Sequence, residues 1–175
     1  MGERRALADR EVTTPKTGAF AVPAPGPRPP NRVLVEWRGG ERFDAHRPGG
    51  PSIRIDGTGE TGPGPVDSLL SALAACASGD VAQILAKRRT PAESMEIEVI
   101  GTRVDTIPRR LKHVLLKFRI TGAGIDRDQA ERAVELAVTK YCSVKDSLDP
   151  NVPIEWEIEL GEAGSGKREA TTRHT

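Results

Sequence analysis

Aromatic residues are scarce in this 175-residue chain: two Trp, one Tyr and three Phe, 3% in all. Any core must therefore be built from aliphatic side chains and alanine, and hydrophobic residues reach only 37%, below the usual globular share. Cysteine is scarcer still. Cys76 and Cys142, the two present, are too few for a secreted disulfide framework and have no CxxC spacing. His46, His113 and His174 form no HxH or HxxxH pair, which argues against a dedicated zinc site. A site assembled from Cys76, Cys142, Asp80 and His46 has no spacing to support it. No glycine-rich loop ending in GK[ST] and no GxGxxG after a strand is read, and the expectation is of no metal and no nucleotide cofactor. Charge of one sign is also lacking. Lys+Arg 26 against Asp+Glu 25 gives a formal net charge of +1, so no field exists to attract nucleic acid or an anionic membrane. No signal-peptide h-region and no charge-free apolar run of bilayer length is present, and Ala6 stands where a myristoylation motif wants Ser or Thr. The expectation is a cytoplasmic protein without nucleic-acid or membrane partners.

What is present is a long, alanine-rich stretch, Gly64–Arg89. Pro65 suits a first helical position, and Asp67 puts negative charge beside the exposed amides of the first turn. Lys87, Arg88 and Arg89 sit at the negative end of the dipole, and Pro91 forbids continuation. Between these limits nearly every residue is apolar or small, which predicts a helix buried on most of its circumference. At helical spacing Leu69, Leu73, Cys76, Asp80 and Ile84 share one side, with a strip of small residues, Ser71, Ala75, Ser78 and Ala82, nearly opposite. A free cysteine in such surroundings is ordinarily a small core hydrophobe, the alternative being a thiol awaiting activation. Cys76 lies about 13 Å from Asp67 along the axis, beyond the reach of the helix dipole, and Asp80 one turn away opposes a thiolate. A reactive Cys76 therefore needs a cation from elsewhere, most simply an arginine. Asp80 itself needs an answering partner.

Around this stretch the chain reads as α+β with mainly antiparallel sheet. Alternation predicts strands at Val33–Arg38, Arg42–His46 and Ser52–Asp56, separated by Gly39-Gly40 and by Pro48-Gly49-Gly50-Pro51. Further strands are expected at Ser94–Asp105 and Leu111–Ile120. A second helix begins at Asp126, with Gln129 in capping-box register and an apolar stripe of Ala130, Ala133, Val134, Ala137, Val138 and Tyr141. A short helix over Ser143–Leu148 and a last strand over Val152–Leu160 complete the folded unit, residues 32–160. Residues 1–31, which end in VPAPGPRPPN, and 161–175 read as disordered tails. Cys142 ends the second helix in KYCSV. It is another candidate for a buried small residue, or for a thiol pair with Cys76 if the helices pack together.

The segments GPVDSLLSALAACASGDVAQILAKRR and GIDRDQAERAVELAVTKYCSV, with the strand pair interrupted at Pro108 between them, resemble the OsmC/Ohr family of thiol-dependent peroxidases, closest to its YhfA-like branch. The resemblance covers about Val33 to Leu160. It implies an OsmC-like fold, mainly antiparallel sheets around a long buried helix, in an intertwined homodimer. It further implies that Cys76 attacks a hydroperoxide, that Cys142 resolves the sulfenic acid to a disulfide, and that a dithiol reduces it, as part of oxidative-stress defence. In the hydroperoxide reductases a glutamate directly after the proline orients an arginine that activates the thiol. Here Val66 holds that place and the carboxylate follows as Asp67, as is usual in the YhfA-like branch. Asp67 is thus a candidate to orient the arginine or, alternatively, to serve the helix N-terminus. Arg38 and Arg54 lie on strands expected near the site, with Arg38 preferred. The competing reading is a noncatalytic dimer whose apolar interface binds an acyl-like small ligand while the cysteines merely pack.

Overall fold

The computed structural model describes Gly26 and residues 29–161; most of the two expected tails lies outside the described residues. The chain divides into residues 1–32 and 33–175, and every helix and strand described here belongs to the second unit.

Strands β1 (Leu34–Trp37), β2 (Arg42–His46) and β3 (Ser52–Asp56) form an antiparallel meander in that order. Gly39 and Gly40 turn the first corner at φ of 91° and 57°, a region open to glycine at little cost. Helix α1 (Pro65–Lys87) follows, then β4 (Ser94–Arg103) and β5 (Leu111–Thr121). Helix α2 (Arg127–Leu136) runs into a π-helical turn, Ala137–Tyr141, then the single turn α3 (Ser143–Asp146) and β6 (Ile154–Gly161). The second sheet has the order β4-β5-β6. The described pairs are mainly antiparallel, as expected, and the last differs: β6 runs parallel to β5, because the chain between them crosses the helical layer before re-entering the sheet.

Alternation places Val114, Leu116, Phe118 and Ile120 of β5 on one face, all buried. They meet Val99, Ile97 and Met95 across β4 and Ile154, Trp156, Ile158 and Leu160 across β6. Onto this face α1 packs Leu70, Leu73, Ala77, Val81 and Leu85, and α2 packs Ala133 and Val134. Gly101 permits the closest approach: a Cβ there would lie 2.7 Å from Leu70 Cδ1 and 2.9 Å from Leu111 Cδ2. Asp126 caps α2 by accepting from the Gln129 N–H at 2.7 Å. The Gln129 side chain accepts instead from Thr90 at 3.2 Å, so only half of the expected capping box forms.

One expectation about α1 needs correction. By length and composition it is apolar enough to cross a membrane, one 18-residue window reaching a mean hydropathy of 1.6, and in this fold its buried face packs on the second sheet and α2. It is not, however, buried all round within one chain. Ser71, Ala75 and Ala82 are exposed and Ser78 half-buried, since the chain's own sheet and helices cover only the opposite side.

Candidate functional site

The two thiols meet where α1 passes the end of α2. Cys76 is half-buried and Cys142 buried; Cys76 packs against the core cluster that includes Cys142 and lies near enough to raise the Cys142 pKa. The Cys142 sulfur also lies 4.0 Å from the carbonyl oxygen of Leu73, one turn before Cys76 on α1. What aims Cys142 inward is the π-turn. An uninterrupted 3.6-residue period would continue the stripe of Ala133, Val134, Ala137 and Val138 through Tyr141. The wider π-turn, closed by the Cys142 N–H donating to Ala137 at 2.9 Å, delays the phase by one residue. Tyr141 is consequently 48% exposed and Cys142 takes the buried place. Sequence periodicity alone puts the wrong member of the KYC triplet in the core.

Cys142 is not simply at a helix C-terminus. It is also the N-cap of α3, and its sulfur accepts from the Lys145 N–H at 3.4 Å. Burial pushes its thiol up to about 11. The Lys145 amide opposes this, and the Cys76 thiol adds to it. Cys142 is therefore a neutral thiol at neutral pH, because of desolvation and not for want of a helix dipole.

The other predicted site residues stand apart from the thiols. Asp67 turns back to accept from the Gly64 N–H at 3.1 Å, and no arginine pairs with it among the described residues. Arg38 lies just past β1, on the first sheet, where its Nε is 2.8 Å from Asp44 and its terminal nitrogen pairs with Glu36. Arg54 grips the other Asp44 oxygen at 2.6 Å. Hydrogen bonds from Arg54 and then Arg38 hold the Asp44 carboxyl below the usual carboxylate range. No hydrogen bond or ion pair joins either arginine to a thiol among the described residues. Asp80 is half-buried beside Cys76 on α1 and has no answering partner among the described residues. No three side chains from His, Cys, Asp and Glu are grouped to hold a metal ion among the described residues.

One motif escaped the sequence reading. Residues 57–62, GTGETG, spell GxGxxG between a strand and a helix. The fold gives it another use. Asp56, fully buried, accepts from the Thr58 N–H at 3.0 Å and hydroxyl at 2.8 Å, and from the Thr61 N–H at 3.0 Å and hydroxyl at 2.7 Å. These bonds, those of Thr61 first, hold the Asp56 carboxyl far below its ordinary range. The donors that would cradle a phosphate are already occupied, and the preceding strand belongs to an antiparallel meander, not a βαβ unit.

Residues 57–157, which include both cysteines, match the family model described as OsmC-like protein. The chain belongs to the OsmC-like family. It is 33% identical over 130 residues to Protein YhfA of Escherichia coli K12, covering 74% of this chain and 97% of that protein. Among solved structures, a hypothetical protein from Aquifex aeolicus is similar at a TM-score of 0.66 and 27% identity, over 77% of this chain and 100% of that one. The organic hydroperoxide resistance protein OhrB of Bacillus subtilis aligns at a TM-score of 0.53 and 20% identity, over 74% of this chain and 98% of its own. An OsmC-like protein of unknown function from Vibrio cholerae gives 0.65 and 18%, over 75% and 100%. The last two likenesses concern the fold alone.

Proposed function

We propose that this protein is a thiol-dependent peroxidase that reduces organic hydroperoxides through Cys76 and Cys142 in defence against oxidative stress. The observation that supports this most directly is the nearness of the two cysteines in the core, from helical segments distant in sequence. In this reading Cys76, the more accessible thiol, attacks the peroxide oxygen as thiolate and becomes a sulfenic acid. Cys142 then condenses with it to a disulfide, water leaves, and a dithiol restores both thiols. Arg38 supplies the activating cation. Its orientation by a carboxylate, the role considered for Asp67, falls to Asp44 and Glu36. Because Arg38 has no bond to a thiol of its own chain, the site is completed in a homodimer, in the cytoplasm.

A second reading rests on a separate observation. A groove of about 390 Å³ lined by Leu70, Ala74, Ile97 and Val99, with Asp67 and Ser71 beside them, runs between α1 and β4, and would suit an acyl-like ligand of a noncatalytic protein. Free-thiol titration before and after one equivalent of alkyl hydroperoxide separates the two. The peroxidase loses both thiols to an internal disulfide; Cys142→Ser accumulates a trappable sulfenic acid on Cys76, and Cys76→Ser gives no reaction. Unchanged thiols, or full peroxide consumption by Cys76→Ser, would decide for the binding protein. The neutral Cys142 adds a pH signature. Below about 11 its thiolate fraction rises roughly tenfold per pH unit, so the sulfenic acid should resolve faster as pH is raised from 7 to 9.

A further inference from the structure

The sulfur of Cys142 has a second task that disulfide chemistry interrupts. As a thiol it caps α3, accepting from the Lys145 N–H at 3.4 Å, while the Cys142 carbonyl accepts from Asp146 at 3.1 Å. The other bonds of this turn are internal: the Ser147 N–H donates to Ser143 and Val144, the Leu148 N–H to Lys145, and the Ser147 hydroxyl to Ser143 at 2.8 Å, so none of them ties it to the rest of the fold. Helix α3 is four residues long and contributes no fully buried residue, with Val144 and Leu148 only partly packed on the core. The segments on either side have their own anchors. Cys142 N–H bonds to Ala137, and beyond α3 Asp149 Oδ1 accepts from the Asn151 N–H at 2.9 Å. At the start of β6, Val114 N–H donates to Pro153 at 3.0 Å.

We infer that the Cys76–Cys142 couple is a redox-gated helix cap: bonding to Cys76 turns the Cys142 sulfur toward α1 and away from the Lys145 amide, which loosens residues 143–148 until reduction restores the cap. The inference rests on reading the two cysteines as a redox pair. In the peroxide reaction the Cys76 thiolate takes one peroxide oxygen, the O–O bond breaks and the alcohol leaves. The Cys142 sulfur then attacks the sulfenic sulfur, the S–O bond breaks, and the oxygen departs as water with the Cys142 proton. The two electrons come from the thiol pair. The loosened turn has a use. Cys142 is 3% exposed in the reduced fold, so opening the α3 cover admits a dithiol when there is a disulfide to reduce.

The test is amide hydrogen exchange, read by NMR on the full chain in reduced and oxidised states. Diamide is the oxidant, because it removes two electrons and two protons from a thiol pair without any peroxidase chemistry. The disulfide form should exchange the amides of Lys145 to Leu148 roughly five- to tenfold faster, the scale of a lost N-cap. Those of Ala133 and Val134 should not change, and dithiothreitol should reverse the effect. Cys142→Ser retains a capping oxygen and should exchange slowly with or without diamide; Cys142→Ala should match the oxidised wild type. Equal exchange in the two wild-type states, slow exchange in Cys142→Ala, or no disulfide with diamide would overturn the gate. If an alkyl hydroperoxide fails where diamide gives the disulfide and the faster exchange, the peroxidase reading falls and the gate is supported.

Discussion

The two sheets of this molecule have the same number of strands and opposite fates. The inner face of β4-β5-β6 is covered by α1 and α2, with Phe118, Leu116 and Ile120 at 1% exposure or less. On β1-β2-β3, by contrast, the corresponding apolar positions Val35, Trp37 and Ile53 remain 60–68% exposed. The exposed flank of α1, with Ser71, Ala75 and Ala82, belongs with this second kind of surface. One half of the fold is finished within a single chain, and the other presents the large apolar patch that a protein rarely leaves to water. That contrast is the physical basis for the proposed dimer.

The comparison breaks most sharply in the finished half. Phe118→Ala should cost about 3–5 kcal/mol, read by denaturant unfolding at any protein concentration; a much smaller loss would mean that the second sheet is not the principal core. Ala75→Leu or Ser78→Leu tests the unfinished half. If a second chain packs on the small strip, overpacking should destabilise by about 1–3 kcal/mol and weaken association by light scattering, whereas little change would mean that the strip faces water. Trp37→Ala should shift the dimer midpoint while leaving the unfolding of dissociated chains nearly unchanged, because a side chain 68% exposed contributes little to a single chain. The subtlest test is Asp56. Its depressed pKa contributes stability that is complete above the unfolded value of about 3.9 and is lost as pH falls through the folded value. Asp56→Asn should therefore lower stability at pH 7 and flatten its fall below pH 4, seen in acid titrations of both proteins. An unchanged acid slope would show that the four hydrogen bonds do not persist in solution.

Much of the architecture was legible because it is written in side-chain periodicity. Alternation marked β2 and β3 to the residue, Pro65 marked the start of α1, and the expected stretch to Arg89 overran its end at Lys87 by two residues. Asp126 announced α2. What escaped depends on backbone hydrogen bonding, which side-chain pattern does not encode. The parallel pairing of β6 has the same apolar alternation as an antiparallel strand. The π-turn changes only which carbonyl each amide finds, and so moved Cys142 into the core in place of Tyr141. At the site, the cysteine pairing was implied by family resemblance, and the fold packs Cys76 against the core cluster that includes Cys142. The Arg38–Asp44–Arg54 cluster was not foreseen, although residues paired across neighbouring strands of a meander would have placed Asp44 opposite Arg54. GTGETG misleads in the opposite sense: the string is right, and the sheet around it is wrong for a dinucleotide.

That loop also carries a lesson about competition. Asp56 is a ligand tethered one residue from its own receptor, and a short tether gives an effective concentration in the millimolar range or above. A free phosphate offered to the same amides and hydroxyls must outcompete an anion that never diffuses away and is already desolvated in place. The loop's donors are consequently occupied by Asp56 in the fold, and it serves as an internal clasp between β3 and α1.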